Sequence, residues 1–172
     1  IYTLSLHDAL PIYYRMYDIG DKVVYPMHGA GIIEEIEDKM ILGEIRKYYI
    51  LNVPCGDMKI MIPVDTSDQI GVREVIDERQ IKIVIEVLSG KSTKMESNWN
   101  RRYRENMEKL KTGNILEVAE VVRNLMRSDR KKKLSTGEKK MLNNARQILI
   151  SEIVLAGDMD SDSAYALIDK TV

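Results

Sequence analysis

The feature that most constrains this chain is a change of hydrophobic period near residue 70. From residue 16 to about 67, the apolar residues come in short β-branched and aromatic runs: DKVVYP, HGAGIIEEIED, EIRKYYILNV and MKIMIPV. Glycine and proline punctuate them, as turns between strands require. From Gly71 the spacing becomes helical. VREVIDERQIKIVIEVLSG would bury Val75, Ile81, Val84, Ile85 and Leu88 on one face and stop at Gly90. No single element serves both periods. The expected fold is therefore α+β: a small N-terminal β-domain over residues 16–70, with five short strands in a strongly bent sheet or barrel, then a compact all-α domain over 71–172.

Boundary residues refine this. A turn at Leu42-Gly43 joins the second and third strand patterns, and PCGD (54–57) turns into the last. Pro63 has no N–H to donate, which favours an edge position for that last strand. Within it, Ile60 and Ile62 share one face, while Lys59 and Met61 share the other. Such an edge can take up a partner's strand, or Met61 can lie half covered by its own chain. A second helix starts at Ser97 or Asn98 and runs to Thr112-Gly113, and a third covers ILEVAEVVRNLMRSDRKKK. The fourth opens on Ser135 and Glu138, the spacing at which hydroxyl and carboxylate each satisfy a backbone N–H. A short helix, SAYALIDK, closes the chain.

Charge is distributed unevenly. The total is −1, yet residues 1–90 carry −6, residues 91–150 carry +9 and the remainder −4. A basic segment beside an acidic one points to a polyanion-binding module next to a module with another task. RSDRKKK (127–133), with Lys139 and Lys140, is the densest patch and suits phosphate contact without base reading. A hydrophobic fraction of 44% excludes a disordered chain. No apolar run approaches the roughly 20 residues that span a bilayer, so no membrane partner is expected. One cysteine precludes a disulfide framework and suits the cytoplasm.

Few residues invite chemistry. Cys55 and His28 carry no local nucleophile signature, so no catalytic residue is expected. Asp158, Asp160 and Asp162 open like a calcium loop, but Ser163 and Asp169 stand where glycine and glutamate belong. Helix capping explains those aspartates better, and no metal is expected. Gly29 and Gly31 lack the third glycine of a dinucleotide motif and read as a turn into a strand, so no cofactor is expected. Residues 1–15, IYTLSLHDALPIYYR, lack the features of a signal peptide and resemble a translated sequencing-adapter remnant. They are expected to be disordered and outside the function.

The single tryptophan, Trp99, sits in NWNRRYREN. With Tyr103, Met107 and Leu110 it forms one helical stripe, so it can be the first rung of a core face. With Arg101, Arg102 and Arg104 around it, it can instead be an apolar wedge on a basic surface. The pattern alone leaves both open.

Four stretches, DIGDKVVYPMHGAGIIEEIE, NWNRRYRENMEKLKTG, VAEVVRNLMRSD and LSTGEKKMLNNARQIL, resemble the CarD/CdnL family of bacterial transcription regulators. The resemblance runs from residue 16 to about 167, in order and with few gaps. It implies a Tudor-like (SH3-like) domain docking on the β subunit of RNA polymerase, a helical DNA-binding domain, and no enzymatic activity. It further implies that Trp99 wedges into the promoter minor groove at the upstream edge of the melted region. Arg101, Arg102, Arg104 and Lys139 would then contact phosphates. Two arginines that grip polymerase in many relatives are matched here by Lys39 and Met61, so docking would either rely more on strand addition along Lys59, Ile60, Met61 and Ile62 or be weaker. The free protein is expected to be monomeric. The alternative is a polymerase-independent, sequence-non-specific nucleic-acid-binding adaptor.

Overall fold

The computed structural model describes residues 16–172, so the expectation for the leader falls outside the described residues. Five strands form one antiparallel sheet: β1 (Lys22–Tyr25), β2 (Gly29–Ile41), β3 (Glu44–Val53), β4 (Met58–Pro63) and β5 (Arg73–Glu74), in the order β4-β3-β2-β1-β5. The α+β class is as expected, and β4 lies at an edge. Two details differ. β2 and β3 are long, with 13 and 10 residues. The segment after Gly71 first adds β5 beside β1 and turns helical only at Glu78. Val75 therefore precedes the helix and is half-buried against the sheet side, while Ile76 takes the buried position.

One sheet face closes on Tyr17, Val23, Ile33, Tyr49, Leu51, Val53, Ile62, Val64 and Val72. Tyr17 crosses that core edge-on to Tyr49 and donates its hydroxyl to the Val72 carbonyl. The β2–β3 hairpin outruns the core, so Met40, Leu42 and Ile45 at its tip are exposed.

The helices are α1 (Ser67–Ile70), α2 (Glu78–Ser89), α3 (Trp99–Lys111), α4 (Ile115–Lys131), α5 (Thr136–Gly157) and α6 (Ser161–Thr171), with a 3-10 turn, Val64–Thr66, before the first. Their starts follow from capping side chains: Asp77, Asn98, Asn114, Ser135 and Asp160 each accept from a backbone N–H of the first turn. Only Asp77 completes a capping box, with Gln80. α4 lies at the centre. Val118, Ala119, Val121, Val122 and Leu125 are almost wholly buried beneath α2, α3 and α5, with Leu110, Ala145, Leu149 and Ile168 filling the space between.

Sheet and helices meet at α5. Gly29, at φ +106°, starts β2 so close to α5 that a β-carbon there would stand 2.7 Å from the Ser151 hydroxyl oxygen. Only glycine fits. The Ser151 hydroxyl accepts from the Ala30 N–H at 2.9 Å, and Lys22 donates to the Leu155 carbonyl at 3.0 Å. Arg73 on β5 forms a two-pronged ion pair with Glu152, at 2.6 and 2.9 Å, and also donates to the Gly113 carbonyl. The Glu152 side chain is 2% exposed, and it accepts the Ile76 N–H as well.

Removing one partner of a buried pair strands the other charge, at a cost of about 3–5 kcal/mol. Arg73→Leu is therefore expected to destabilise the protein by about that much in urea unfolding. The double variant Arg73→Leu/Glu152→Leu should lose markedly less, and equal losses would show that the two charges are not coupled.

Candidate nucleic-acid interface

The N-termini of α3 and α5 converge at Trp99. Asn98 caps α3, so the indole projects from its first residue, 43% exposed, stacked on Tyr103 with ring centroids 5.2 Å apart. Tyr103 and Met107 are half-buried and Leu110 is fully buried, so the stripe grades from core to surface along the helix. Trp99 is neither a buried core rung nor a free side chain.

A seat on α5 holds it. The indole Nε1–H donates to the Ser135 hydroxyl oxygen at 2.9 Å. That oxygen also accepts the Glu138 backbone N–H at 3.3 Å, and its own proton goes to the Glu138 carboxylate at 3.2 Å. One hydroxyl offers one donor and two acceptor positions, and all three are used. Gly137 completes the seat, since a β-carbon there would press within 3.3 Å of the indole benzo edge.

Here the capping expectation needs correction. Ser135 caps α5 as anticipated, but the Glu138 carboxylate takes Arg102 Nε at 2.6 Å in addition to the Ser135 hydroxyl. Glu138 is 2% exposed, and a buried carboxylate needs a cation more than a second cap. Arg102 also donates to the carbonyls of Glu96 and Ser97. Its guanidinium is thus occupied beneath the tryptophan, unlike those of its neighbours.

Cations in the helical region separate into two sets. Lys109, Lys111 and Arg146 pair with carboxylates, and Arg123 and Arg127 bond backbone carbonyls of α2 and its end. By contrast, Arg101, Arg104, Lys131, Lys132, Lys133 and Lys139 are exposed and have no ion-pair partner among the described residues, as is also true of Arg79, Lys82, Lys91, Lys94, Arg130, Lys140 and Lys170 elsewhere in the region. These first six lie on the first two turns of α3, on the first turn of α5 or at the end of α4.

The 91–98 connector is tied down from below. The Thr93 hydroxyl donates to Glu120 at 2.6 Å and accepts from Asn124 at 2.6 Å. Burial pushes the Glu120 carboxyl up, but the Thr93 hydroxyl and the Lys109 ammonium outweigh it and hold it below its ordinary value.

Residues 17–76 match the family described as CarD-like/TRCF RID domain, and residues 83–169 match that described as CarD, C-terminal domain. The chain belongs to the CarD family. A relative in Bacillus subtilis (strain 168), named "Putative transcription factor YdeB", is 44% identical over 138 residues, which cover 80% of this chain and 90% of that protein. The CarD family is one of transcription regulators and is not an enzyme class, and transcription regulation is the function class of this chain.

The other predicted positions of this CarD-family chain lie on the sheet. Lys59 and Met61 point outward from β4, while the Ile62 side chain is fully buried and Ile60 half-buried, so Ile62 can offer a partner only its main chain. Lys39 and Met61 share the outer face. Lys39 registers with Arg46 and Met61 with Ile50, four residues or about 13 Å apart along β3. Lys39 pairs with Glu37 at 2.8 Å and Lys59 with Glu34 at 3.0 Å. Cys55 contacts the Ser161 hydroxyl, and His28 stacks on Tyr25 and bonds the Pro26 carbonyl, so they form no nucleophile pair. Asp160 caps α6 through the Ser163 N–H. No cluster of three metal-ligating side chains occurs among the described residues, and no helix there is long and apolar enough to cross a membrane.

Two measurements follow. Trp99 is the only tryptophan, so its emission reports the seat directly. Ser135→Ala is expected to cost about 1 kcal/mol as a lost cap and to lower the emission anisotropy; unchanged anisotropy would mean that stacking alone holds the ring. On the sheet, the hydrogen bond and charge of Glu37 hold the Glu35 carboxyl above its ordinary value, while Lys39 and then Glu35 hold Glu37 below. As pH rises, Glu37 should lose its proton first and Glu35 later in a side-chain NMR titration, with Glu37→Ala bringing the Glu35 midpoint down.

Proposed function

We propose that this protein docks on the β subunit of RNA polymerase through the β4 edge and the outer face of its sheet. From there it presents Trp99 to the promoter minor groove at the upstream edge of the melted region, and so stabilises the open complex. The observation that carries this reading is a half-exposed tryptophan, held by a saturated hydroxyl and ringed by unpaired cations, in a chain of a transcription-regulator family. An inserted aromatic side chain offsets the few kcal/mol of unstacking only where strands have parted. A ligand shifts an equilibrium only by such differential affinity.

Arg101, Arg104 and Lys139 hold phosphates in this reading, and Arg102 acts through Glu138 to keep the seat in place. The only donor on the indole ring is already bonded to Ser135, so the wedge reads no base. Promoter choice then belongs to polymerase and its sigma factor. The edge strand supplies main-chain groups to the partner, and Lys39, Lys59 and Met61 supply side chains. The protein acts in the cytoplasm and is monomeric when free.

The test is the lifetime of a promoter open complex with wild type, Trp99→Ala and Met61→Asp. Wild type should lengthen it. Trp99→Ala should lose most of that effect while still binding polymerase, and Met61→Asp should lose polymerase binding while still binding DNA. Equal lengthening by wild type and Trp99→Ala would remove the wedge. No effect from wild type would remove the polymerase reading and leave a general nucleic-acid binder.

A further inference from the structure

Beside Trp99 lies a groove of about 770 Å³, walled by the 91–98 connector on one side and by the end of α4, Lys132–Leu134 and the first turn of α5 on the other. We propose that this groove holds one unpaired strand of nucleic acid, its phosphates on Lys131, Lys132 and Lys133 and a base against the indole. The proposal rests on the wedge reading above and adds a ligand to the same site.

Shape is the first argument. Elements that read duplex DNA protrude into its grooves. This surface is concave, and so suits a narrow extended chain that enters it. Chemistry is the second. Binding of single strands combines cations along a groove with an aromatic platform for bases. Here three consecutive exposed lysines without ion-pair partners among the described residues line one wall, with the Ser97 and Ser128 hydroxyls and an exposed aromatic ring at hand. Against them stands one exposed carboxylate, Glu96, because Glu138 is buried and neutralised by Arg102.

Rigidity is the third argument. The floor residues Thr93, Asn124 and Arg127 are consumed in bonds to one another's neighbours, including Arg127 to the Gly90 carbonyl at 2.6 Å and to the Ser92 hydroxyl. The groove is therefore shaped before any ligand arrives. Position is the last. Trp99 and the three lysines line the same groove, so a strand parted by a wedge at Trp99 is released beside them.

The experiment uses the full chain and three DNAs: a blunt duplex, the same duplex ending in a short unpaired tail, and the tail strand alone. Binding is read from Trp99 emission and from polarisation of labelled DNA. The tailed duplex is expected to bind about tenfold more tightly than the blunt one. Replacing Lys131, Lys132 and Lys133 together by serine should weaken the tailed duplex far more than the blunt one, so that the gain disappears, and leave the melting temperature unchanged. The slope of log affinity against log salt for the tail strand should fall by about 2, near 0.7 for each lost cation.

Equal affinity for tailed and blunt duplex overturns the groove while the wedge, judged by open-complex lifetime, stands. Equal weakening of both duplexes by the triple variant also overturns it, since the lysines would then be serving as a diffuse charge. Displacement of the tail by a mononucleotide at matched phosphate concentration would make this a small-anion site and overturn the strand assignment. A tail of RNA in place of DNA tells which backbone the groove prefers, and tail-dependent binding with either backbone supports it.

Discussion

The contact on which the rest depends is the buried ion pair between Arg73 and Glu152. It joins the last strand of the sheet to the longest helix, with both guanidinium prongs satisfied and the carboxylate almost wholly out of water. A buried pair is weak evidence for stability, because desolvation consumes much of its Coulombic gain. Its geometric consequence is firmer. A charge stranded by any slip between sheet and helix costs several kcal/mol, so the pair tolerates one register only. Ser151 against Ala30, Lys22 against Leu155 and the bare α-carbon of Gly29 reinforce that register. α5 then becomes a ruler. Its cap Ser135 holds Trp99, and Glu152, 17 residues along, holds the sheet about 25 Å away at 1.5 Å per residue.

The same logic of satisfied and unsatisfied charge organises the surface. Where cations serve structure, they are paired or spent on carbonyls: Arg123 and Arg127 fasten α4 to the end of α2, and Arg102 neutralises Glu138. Around Trp99 they are left in water without carboxylates. Exposed ion pairs contribute little to stability, so leaving these cations single sacrifices little. It leaves them free to displace counterions from a phosphate backbone, which is the main source of affinity for nucleic acid.

Much of this was legible in the sequence, for local reasons. Caps announce helix starts because their hydrogen bonds span only two or three residues, and Asn98 and Ser135 act where the pattern placed them. The alternation of Lys59, Ile60, Met61 and Ile62 likewise gave the two faces of β4, and Pro63 its edge. What escaped depends on partners far along the chain. β5 exists because β1 lies beside it, pairing Val23 with Glu74 across 51 residues, a separation that no local signal spans. Glu138 looked like half of a capping box until Arg102, 36 residues earlier, took its carboxylate. The role of Arg102 was hidden for the same reason, because three neighbouring arginines look alike until one of them meets a buried acid.

The uneven charge of the chain also acquires a direction. Glu34, Glu35 and Glu37 lie along β2 with Lys39 and Lys59 among them, and the sheet half remains net acidic. The cationic surface gathers at the far end of α5. Placed near a promoter, the acidic half is repelled by phosphates that attract the basic half, and electrostatic complementarity sets orientation and encounter more than final affinity. Because the ion pair at Arg73 fixes one half to the other, a torque on either is a torque on both. On the proposed function, the helix that sets the distance from the sheet to Trp99 therefore also aims the ring, and the acidic sheet half is held away from the phosphates.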